Sequence, residues 1–184
     1  MQKESDSTLI AQAKKDPEAF GLLYKRYVDR IYNYIYYRTG NHHDAEDLTA
    51  RTFYKALKSF PRYVDRGAPF SAYLYRIAHN IVANWHRDTG RRQIVPFDNL
   101  ATIMIQERDG PAAVAERKDE QEVLLQAVRQ LPPDRQQLLI LKLVEQMSNA
   151  EIAEVMERTE GAIKSLYHRT LIALREELTN EYKN

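Results

Sequence analysis

The stretch from Phe70 to Asp88, FSAYLYRIAHNIVANWHRD, constrains the fold of this chain more than any other stretch. Its apolar side chains recur every three or four residues, the spacing of one helix face, so we expect that face to be buried. The face consists of Phe70, Tyr73, Leu74, Ile77, Ala78, Ile81, Val82 and Trp85. We expect other helices to pack against this face, because helix-forming residues are plentiful and the 184 residues include only 6 glycines and 7 prolines. The sequence therefore predicts an all-α protein.

The polar side of this helix carries cations, amides and aromatic groups, with no carboxylate before Asp88. Cationic side chains bind phosphates, amides hydrogen-bond to base edges, and aromatic rings stack on exposed bases, so the pattern is typical of nucleic-acid binding. An ordinary solvated helix face is an equal alternative from this stretch alone. One polar stripe contains Arg76, Asn80, Asn84 and Arg87, with Tyr75, His79 and His86 beside it.

Charge and composition limit the possible classes of protein. Charged residues make up 29% of the chain but the formal net charge is +1, so a nucleic-acid surface must be local. Basic residues outnumber acidic ones between Arg62 and Arg92, which locates that surface. The absence of cysteine excludes disulfides and thiolate metal sites and fits a reducing cytoplasm. No apolar signal core or membrane span is evident, so we expect a cytoplasmic protein.

Three further helices are predicted before Phe70, over residues 7–14, 17–38 and 44–60. Asp16 and Asp44 are the expected N-caps of the second and third of these, and Gly40 is the expected stop between them. Acidic residues crowd the start of the third helix, where they suit the helix dipole and also offer a negative patch to a basic partner. Its expected inward side chains are Leu48, Thr52, Phe53, Ala56, Leu57 and Phe60.

The C-terminal part of the sequence predicts a helix-turn-helix. Residues 93–115 show no sustained period and predict a linker, followed by helices over 116–130 and 134–146, the second capped by Asp134. A capping box from Ser148 to Glu151 starts a short helix over 149–157, and a tight turn leads into a long helix ending near residue 178. The outward positions near the start of that helix are Glu160, Lys164, Ser165, His168 and Arg169. A helical hairpin within a bundle is the alternative.

Two long stretches of this sequence resemble the extracytoplasmic-function sigma factors, the small promoter-recognition subunits of bacterial RNA polymerase. They are DAEDLTARTFYKALKSFPRYVDRGAPFSAYLYRIAHNIVANWHRD and LPPDRQQLLILKLVEQMSNAEIAEVMERTEGAIKSLYHRTLIALR. The resemblance implies two small helical domains, sigma region two over residues 1–92 and sigma region four over 116–184, joined by the flexible linker over 93–115. It implies no catalytic activity, cofactor or metal.

The resemblance also assigns roles to residues. It implies that core polymerase, through its beta-prime and beta subunits, binds Asp44, Glu46, Asp47, Thr49, Thr52, Phe53 and Lys55. Recognition and melting of the minus-ten promoter element carry over to Arg62, Arg66, Tyr75, Arg76, Asn80, Asn84 and Arg87. Duplex recognition of the minus-thirty-five element carries over to Thr159, Glu160, Gly161, Lys164, Ser165, His168 and Arg169. Such factors are often held by a cognate anti-sigma protein, which is a further candidate partner.

The sequence departs from the family pattern at three places. Tyr73 stands where the family usually has tryptophan, Ala50-Arg51 replaces a Gln-Glu pair, and Glu157 replaces the glycine of the helix-turn-helix turn. If that last position needs a positive φ, glutamate carries a strain of about 1 kcal/mol.

Two other classes of protein compete with this interpretation. A helix-turn-helix operator-binding regulator would leave the acidic patch and the Asn80/Asn84 stripe unexplained. An enzyme would need a site such as a metal bound by His42-His43-Asp44 or by His79 and His86, but no catalytic motif accompanies either group.

Overall fold

The computed structural model describes residues 4–90, 98–112 and 118–181, and all regular secondary structure in these ranges is helical. The all-α class predicted from the sequence is therefore confirmed. The chain divides into two compact units, the first built mainly from residues up to Gln93 and the second mainly from Ile94 onward. None of the helices in these ranges combines the length and the apolar character needed to cross a membrane.

The first unit is a bundle in which α2, α3 and α4 pack against one another and α1 packs on α2. Two short 3₁₀ turns, Pro17–Ala19 and Phe60–Arg62, precede α2 and follow α3. The four helices are α1 (Asp6–Lys15), α2 (Phe20–Thr39), α3 (His42–Ser59) and α4 (Phe70–Thr89).

The corner between α2 and α3 follows from two adjacent residues. Gly40 ends α2 with a φ of 66°, the left-handed conformation that glycine adopts without strain, as predicted. Asn41 then caps α3, because its side chain accepts a hydrogen bond from the Asp44 backbone N–H at 3.1 Å. The prediction that Asp44 is the cap was therefore wrong, and this carboxylate lies in the first turn of α3 instead.

An aromatic cluster around Phe70 forms the centre of the first unit. The Phe70 ring is 2% exposed, and its centroid lies within 6.0 Å of the rings of four other aromatic residues. These are Tyr27, Phe60, Tyr63 and Tyr73. The prediction that Leu57 on α3 packs inward was wrong, because this side chain is 43% exposed.

The second unit contains a helix that the sequence did not predict. Asp98–Asp109 forms α5 within the expected linker, while residues 93–97 and 113–115 of that linker lie outside the described residues. Leu100, Ala101 and Ile105 are at most 1% exposed, because α5 packs on the following helix. A short helix with a weak period owes its stability to such packing, which its own sequence does not reveal.

The remaining helices of the second unit are α6 (Lys118–Gln130), α7 (Pro133–Leu139), α8 (Asn149–Met156) and α9 (Glu160–Glu181). A π-helical turn over Ile140–Val144 extends α7. Pro132 occupies the N-cap position of α7, so Asp134 is not its cap; the Asp134 carboxylate instead pairs with Arg158 at 3.1 Å. The predicted capping box of Ser148 and Glu151 is confirmed at the start of α8.

The turn of the helix-turn-helix holds Glu157 in a left-handed conformation, with a φ of 53°. Because a side chain with a Cβ atom is strained there, Glu157→Gly should raise the free energy of unfolding by about 0.5–1 kcal/mol after the greater entropy of unfolded glycine is counted. Urea denaturation measures this change. Glu157→Ala is the matched control, since it removes the carboxylate but keeps the strain; an equal gain in both variants would contradict the backbone explanation.

Candidate nucleic-acid interface

One exposed stripe runs along α4. Arg76, Asn80, Asn84 and Arg87 are all exposed. At about 100° per residue, their positions fall within an arc of about 80° on the helix surface. Asp88 lies outside that arc, at its C-terminal end, and its carboxylate is 3.6 Å from the Nε of Arg87. The stripe therefore combines two cations and two amides on one side of α4 without an intervening carboxylate.

Tyr75 does not belong to this surface, and the prediction that it contacts nucleic acid was wrong. Its side chain is 0% exposed and packs edge-on against Tyr34, with ring centroids 5.2 Å apart. The guanidinium of Arg30 lies 5.7 Å from the centre of the Tyr75 ring. The sequence pattern alone does not distinguish an aromatic side chain that lies beside the exposed stripe from one that is buried in the core.

Two more cationic side chains lie in the segment that directly precedes α4 in the sequence. Arg62 and Arg66 are exposed, whereas Tyr63 stacks parallel to Phe60 with ring centroids 5.9 Å apart. The Asp65 carboxylate accepts a hydrogen bond from the Gly67 N–H at 2.9 Å, which shapes the turn. Tyr63 thereby anchors the loop to the aromatic cluster and leaves the arginines facing solvent.

Tyr73 fixes the start of α4 to the end of α3. Its hydroxyl lies 2.6 Å from Ser59 Oγ and donates to the Ala56 carbonyl at 3.2 Å. Burial raises the pKa of the Tyr73 hydroxyl, so it keeps its proton near neutral pH. The tyrosine at this position therefore supplies a polar contact of its own as well as an aromatic core side chain.

His79 lies between the stripe and the core of the first unit. Its buried Nδ1 has no hydrogen-bond partner in the described part of the chain, and neither has the Nε of Arg38, which is 3% exposed. Burial, reinforced by the positive charge of Arg38, lowers the pKa of His79 to about 4. The imidazole is therefore neutral near pH 7 and adds no charge to the stripe.

The position of His79 makes the stability of the first unit sensitive to acid. Because the pKa is lower in the folded state than the ordinary value near 6.5, the unfolded state binds the proton first. The stabilisation is complete above about pH 6.5 and is lost as the pH falls toward 4. Allowing for partial exposure, we expect about 2 kcal/mol between pH 7 and pH 4.5.

Denaturant unfolding at the two pH values tests this expectation. His79→Gln should have a smaller pH-dependent difference in free energy of unfolding than the unmodified chain. His43→Gln, a change at an exposed histidine of α3, is the control. An undiminished pH dependence in His79→Gln would contradict the assignment.

The second unit exposes the start of α9. Its inner side is held by Ile163, Leu166 and Leu174, which are all buried. Thr159 Oγ1 accepts a hydrogen bond from the Ala162 N–H at 3.1 Å and so caps the helix. Every position predicted to contact the upstream DNA element is exposed: Thr159, Glu160, Gly161, Lys164, Ser165, His168 and Arg169.

Fewer of the α3 residues predicted to contact core polymerase are exposed than the sequence indicated. Glu46, Asp47 and Lys55 are exposed and Asp44 is half-buried. Three other predicted contact residues are buried, so assigning them to a partner surface was wrong. They are Thr49 and Thr52, whose hydroxyls donate to the carbonyls of Ala45 and Leu48, and Phe53, which packs against Tyr24.

The histidines at the start of α3 take part in aromatic packing. His42 stacks on Tyr36 with ring centroids 4.4 Å apart, and its Nδ1 lies 2.5 Å from the Tyr32 hydroxyl. Across the described ranges, no group of three or more histidine, aspartate or glutamate side chains is arranged to hold a metal ion.

Two family matches follow the division into two units. Residues 23–92 match the family described as Sigma-70 region 2, and residues 121–174 match Sigma-70, region 4. The chain is 38% identical over 176 residues to the ECF RNA polymerase sigma factor BldN of Streptomyces coelicolor. That alignment covers 93% of this chain and 66% of BldN, so the chain spans about two thirds of the length of that relative.

A second relative is matched over most of its length. RNA polymerase sigma factor YlaC of Bacillus subtilis is 30% identical over 158 residues, which cover 85% of this chain and 90% of YlaC. The solved structure of CnrH in complex with the cytosolic domain of CnrY has a TM-score of 0.68 and 23% identity, covering 96% of this chain and 99% of that one. At this level of sequence identity, the similarity to CnrH supports a shared fold only.

Proposed function

The chain belongs to the extracytoplasmic-function sigma factors, the RNA polymerase subunits that direct promoter-specific transcription, and we propose that its two units divide promoter recognition between them. The first unit binds core polymerase and the minus-ten element, and the second binds the minus-thirty-five element. The observation that carries this proposal is the α4 stripe, where exposed arginines and asparagines follow directly on a loop with two exposed arginines. The factor has no reaction of its own and acts in the cytoplasm, where polymerase and promoter DNA are found.

The first unit assists the opening of the DNA duplex. Arg62, Arg66, Arg76 and Arg87 bind strand phosphates, and the amides of Asn80 and Asn84 hold exposed bases. Unstacking a base costs a few kcal/mol, and a base held by protein contacts returns about 1–3 kcal/mol. Because the two asparagines are four residues apart on one helix face, they lie about 6 Å, or one turn, apart and can hold neighbouring bases of one strand.

The second unit reads the upstream element as a duplex. The start of α9 enters the major groove, where Lys164, Ser165 and His168 face base edges and Arg169 binds a phosphate. The backbone N–H groups of Glu160 and Gly161, in the first turn, add to phosphate binding. Thr159 has a structural role in this site, because its hydroxyl caps the helix that carries the other residues.

Core polymerase binds the exposed part of α3. Asp44, Glu46 and Asp47 present negative charge near the helix start, which calls for a basic surface on the polymerase. Lys55 is exposed too, but nine residues after Glu46 it lies on the opposite side of the helix, about 180° away. Lys55 therefore does not share a helix face with Glu46.

Run-off transcription with purified core polymerase and fragments of host DNA tests the proposed function. We expect discrete transcripts that depend on the protein and whose starts share two spaced upstream elements. A co-purification assay with core polymerase distinguishes the proposed sigma factor from the leading alternative, an operator-binding regulator. Such a regulator binds DNA without binding core polymerase. Failure to bind core would overturn the proposal in favour of that regulator.

Lys164→Ala should weaken binding to the minus-thirty-five element by about tenfold while leaving the affinity for core polymerase intact. Lys164 is exposed and pairs with Glu160 at 3.1 Å in the isolated chain, so it is available to exchange that carboxylate for DNA. Fluorescence anisotropy with an upstream duplex measures the first affinity, and titration with core measures the second. A parallel loss of core affinity would show that this surface has another role.

A further inference from the structure

The last turn of α1 lies against the loop that precedes α4. The ammonium of Lys14 is 5.9 Å from the centre of the Tyr63 ring, a distance at which the face of an aromatic ring attracts a cation. Lys14 is exposed, so its charge reaches solvent beside this ring. The sequence did not indicate the contact, because α1 and the loop are far apart in the chain. We call Lys14 and the exposed loop residues Arg62 and Arg66 the cation group.

The position of this lysine is fixed from both sides of the contact. The apolar face of α1 is buried, and the Asp6 carboxylate ties the helix to α2. It pairs with Arg26 at 2.5 Å and accepts a hydrogen bond from the Tyr27 hydroxyl. The Tyr63 ring is held by the aromatic cluster, with its centroid 4.9 Å from that of Tyr73. The end of α1 therefore stays beside the loop.

The charges of the cation group are available to a ligand. Within the described ranges, none of its three members forms an ion pair with a carboxylate. Two carboxylates lie close enough to act on the Tyr63 hydroxyl, those of Asp65 and Asp6. The first accepts a hydrogen bond from the Gly67 N–H at 2.9 Å, and the second is held by α2. Neither neutralises Lys14, so an anion from outside the chain is the group that this surface fits.

We propose that Lys14 binds a phosphate of the single strand whose bases the α4 stripe holds, and so extends the DNA surface of the first unit onto α1. This inference rests on the proposed function, which assigns the stripe and the loop to the minus-ten element. Tyr73 lies about one turn before Arg76 of the stripe, and Tyr63 lies between Tyr73 and Lys14. A strand that runs along the stripe and over the loop therefore reaches α1. A lysine contact to phosphate adds affinity without sequence preference.

Continuity with the loop favours DNA over an acidic protein segment as the partner of Lys14. Proteins that hold a single strand line its path with cations and aromatic rings, and the cation group adjoins the Tyr63 ring in this way. Lys15 provides a contrast within the same turn. It is exposed, but it lies about 100° around the helix from Lys14, opposite the buried face of α1. Lys15 therefore does not share this surface.

The test uses the complex of the full chain with core polymerase and a fluorescent single-stranded oligonucleotide that carries the minus-ten element. Fluorescence anisotropy measures its affinity over a range of salt concentrations. Lys14→Ala should lower the slope of log affinity against log salt by about 0.7, the value for one phosphate contact, and weaken binding about fivefold at about 0.1 M salt. Lys15→Ala, which removes the same charge from the same turn, is the matched control and should leave both quantities unchanged.

Two further variants separate the charge of Lys14 from its packing. Lys14→Met keeps an unbranched side chain against the Tyr63 ring but has no charge, so it should lower the salt slope as alanine does. Lys14→Arg keeps the charge and should retain the slope. A side chain that only anchored the loop would change the affinity without changing its dependence on salt. Equal melting temperatures show that the variants are folded.

Four results would overturn the inference, and they separate it from the proposed function. If Arg62→Ala lowers the salt slope but Lys14→Ala does not, the inference fails and the proposed function stands. If Lys14→Ala and Lys15→Ala weaken binding equally, net charge is the cause. If Lys14→Ala weakens binding to core polymerase instead, an acidic segment of the polymerase is the partner of Lys14. If the complex does not bind the oligonucleotide at all, the proposed function fails and this inference with it.

Discussion

Replacing Asn80 with alanine is expected to slow the formation of the open promoter complex about tenfold, with little change in binding to the closed duplex. The reason is that Asn80 is exposed in the middle of the α4 stripe, which we propose holds bases after they have left the stack. Loss of one such contact corresponds to about 1–3 kcal/mol. Permanganate reactivity of unpaired thymines measures opening, and a mobility-shift assay at low temperature measures duplex binding.

Asn33→Ala provides the matched control for this prediction. Asn33 is an exposed asparagine on α2, so its replacement removes the same amide from a different helix of the same unit. It should leave both opening and duplex binding unchanged. Equal losses of the two activities in Asn80→Ala would contradict a role in melting and would make Asn80 a general DNA contact.

Replacing Phe70 with alanine is expected to destabilise the first unit by about 3–5 kcal/mol. Phe70 is 2% exposed and contacts four aromatic rings, so its removal leaves a cavity that rigid neighbours do not fill. Since a small domain is stable by only about 5–15 kcal/mol, this loss should unfold a substantial part of the population at moderate temperature.

Tryptophan fluorescence measures the effect of the Phe70 change on one unit. Trp85 on α4 is the single tryptophan of the chain, so its emission reports the first unit, while circular dichroism reports both. The urea midpoint of the Trp85 signal should fall sharply in Phe70→Ala and less in Phe70→Leu. It should not fall in the control Ile172→Ala, which removes a 40% exposed side chain from α9 in the second unit. A midpoint within the range of Phe70→Leu would show that the cluster repacks around the cavity.

The sequence predicted the helices that carry local start and stop signals. Gly40, the Ser148–Glu151 capping box and the long final helix all follow from short-range chemistry, and the structure contains each of them. The start of α3 shows the limit, because Asn41 and Asp44 are both good caps in sequence. Only the backbone conformation after Gly40 selects Asn41.

The sequence predicted which helix faces carry the candidate sites, but it did not predict for every residue whether its side chain is exposed. Arg76, Asn80 and Arg87 are exposed as the helical period requires, yet Tyr75 is buried because the groove between α2 and α4 accepts its ring. Thr49 and Thr52 are polar in sequence, but their hydroxyls bond to carbonyls one turn earlier and so enter the core. The exposure of Leu57 was missed for the opposite reason, since an apolar residue that follows the helical period is expected to be buried.

The packing of α5 on α6 has a consequence for the spacing of promoter elements. With α5 in the second unit, eight residues, 90–97, separate the end of α4 from the start of α5, instead of the longer linker that the sequence predicted. Eight residues extend at most about 29 Å, roughly the rise of eight or nine base pairs of B-DNA. Adding base pairs between the two elements moves them apart and removing base pairs brings them closer, and either change also rotates one element around the helix axis relative to the other. Promoters for this factor should therefore share a nearly constant spacer, and changes of half a helical turn should be the least tolerated.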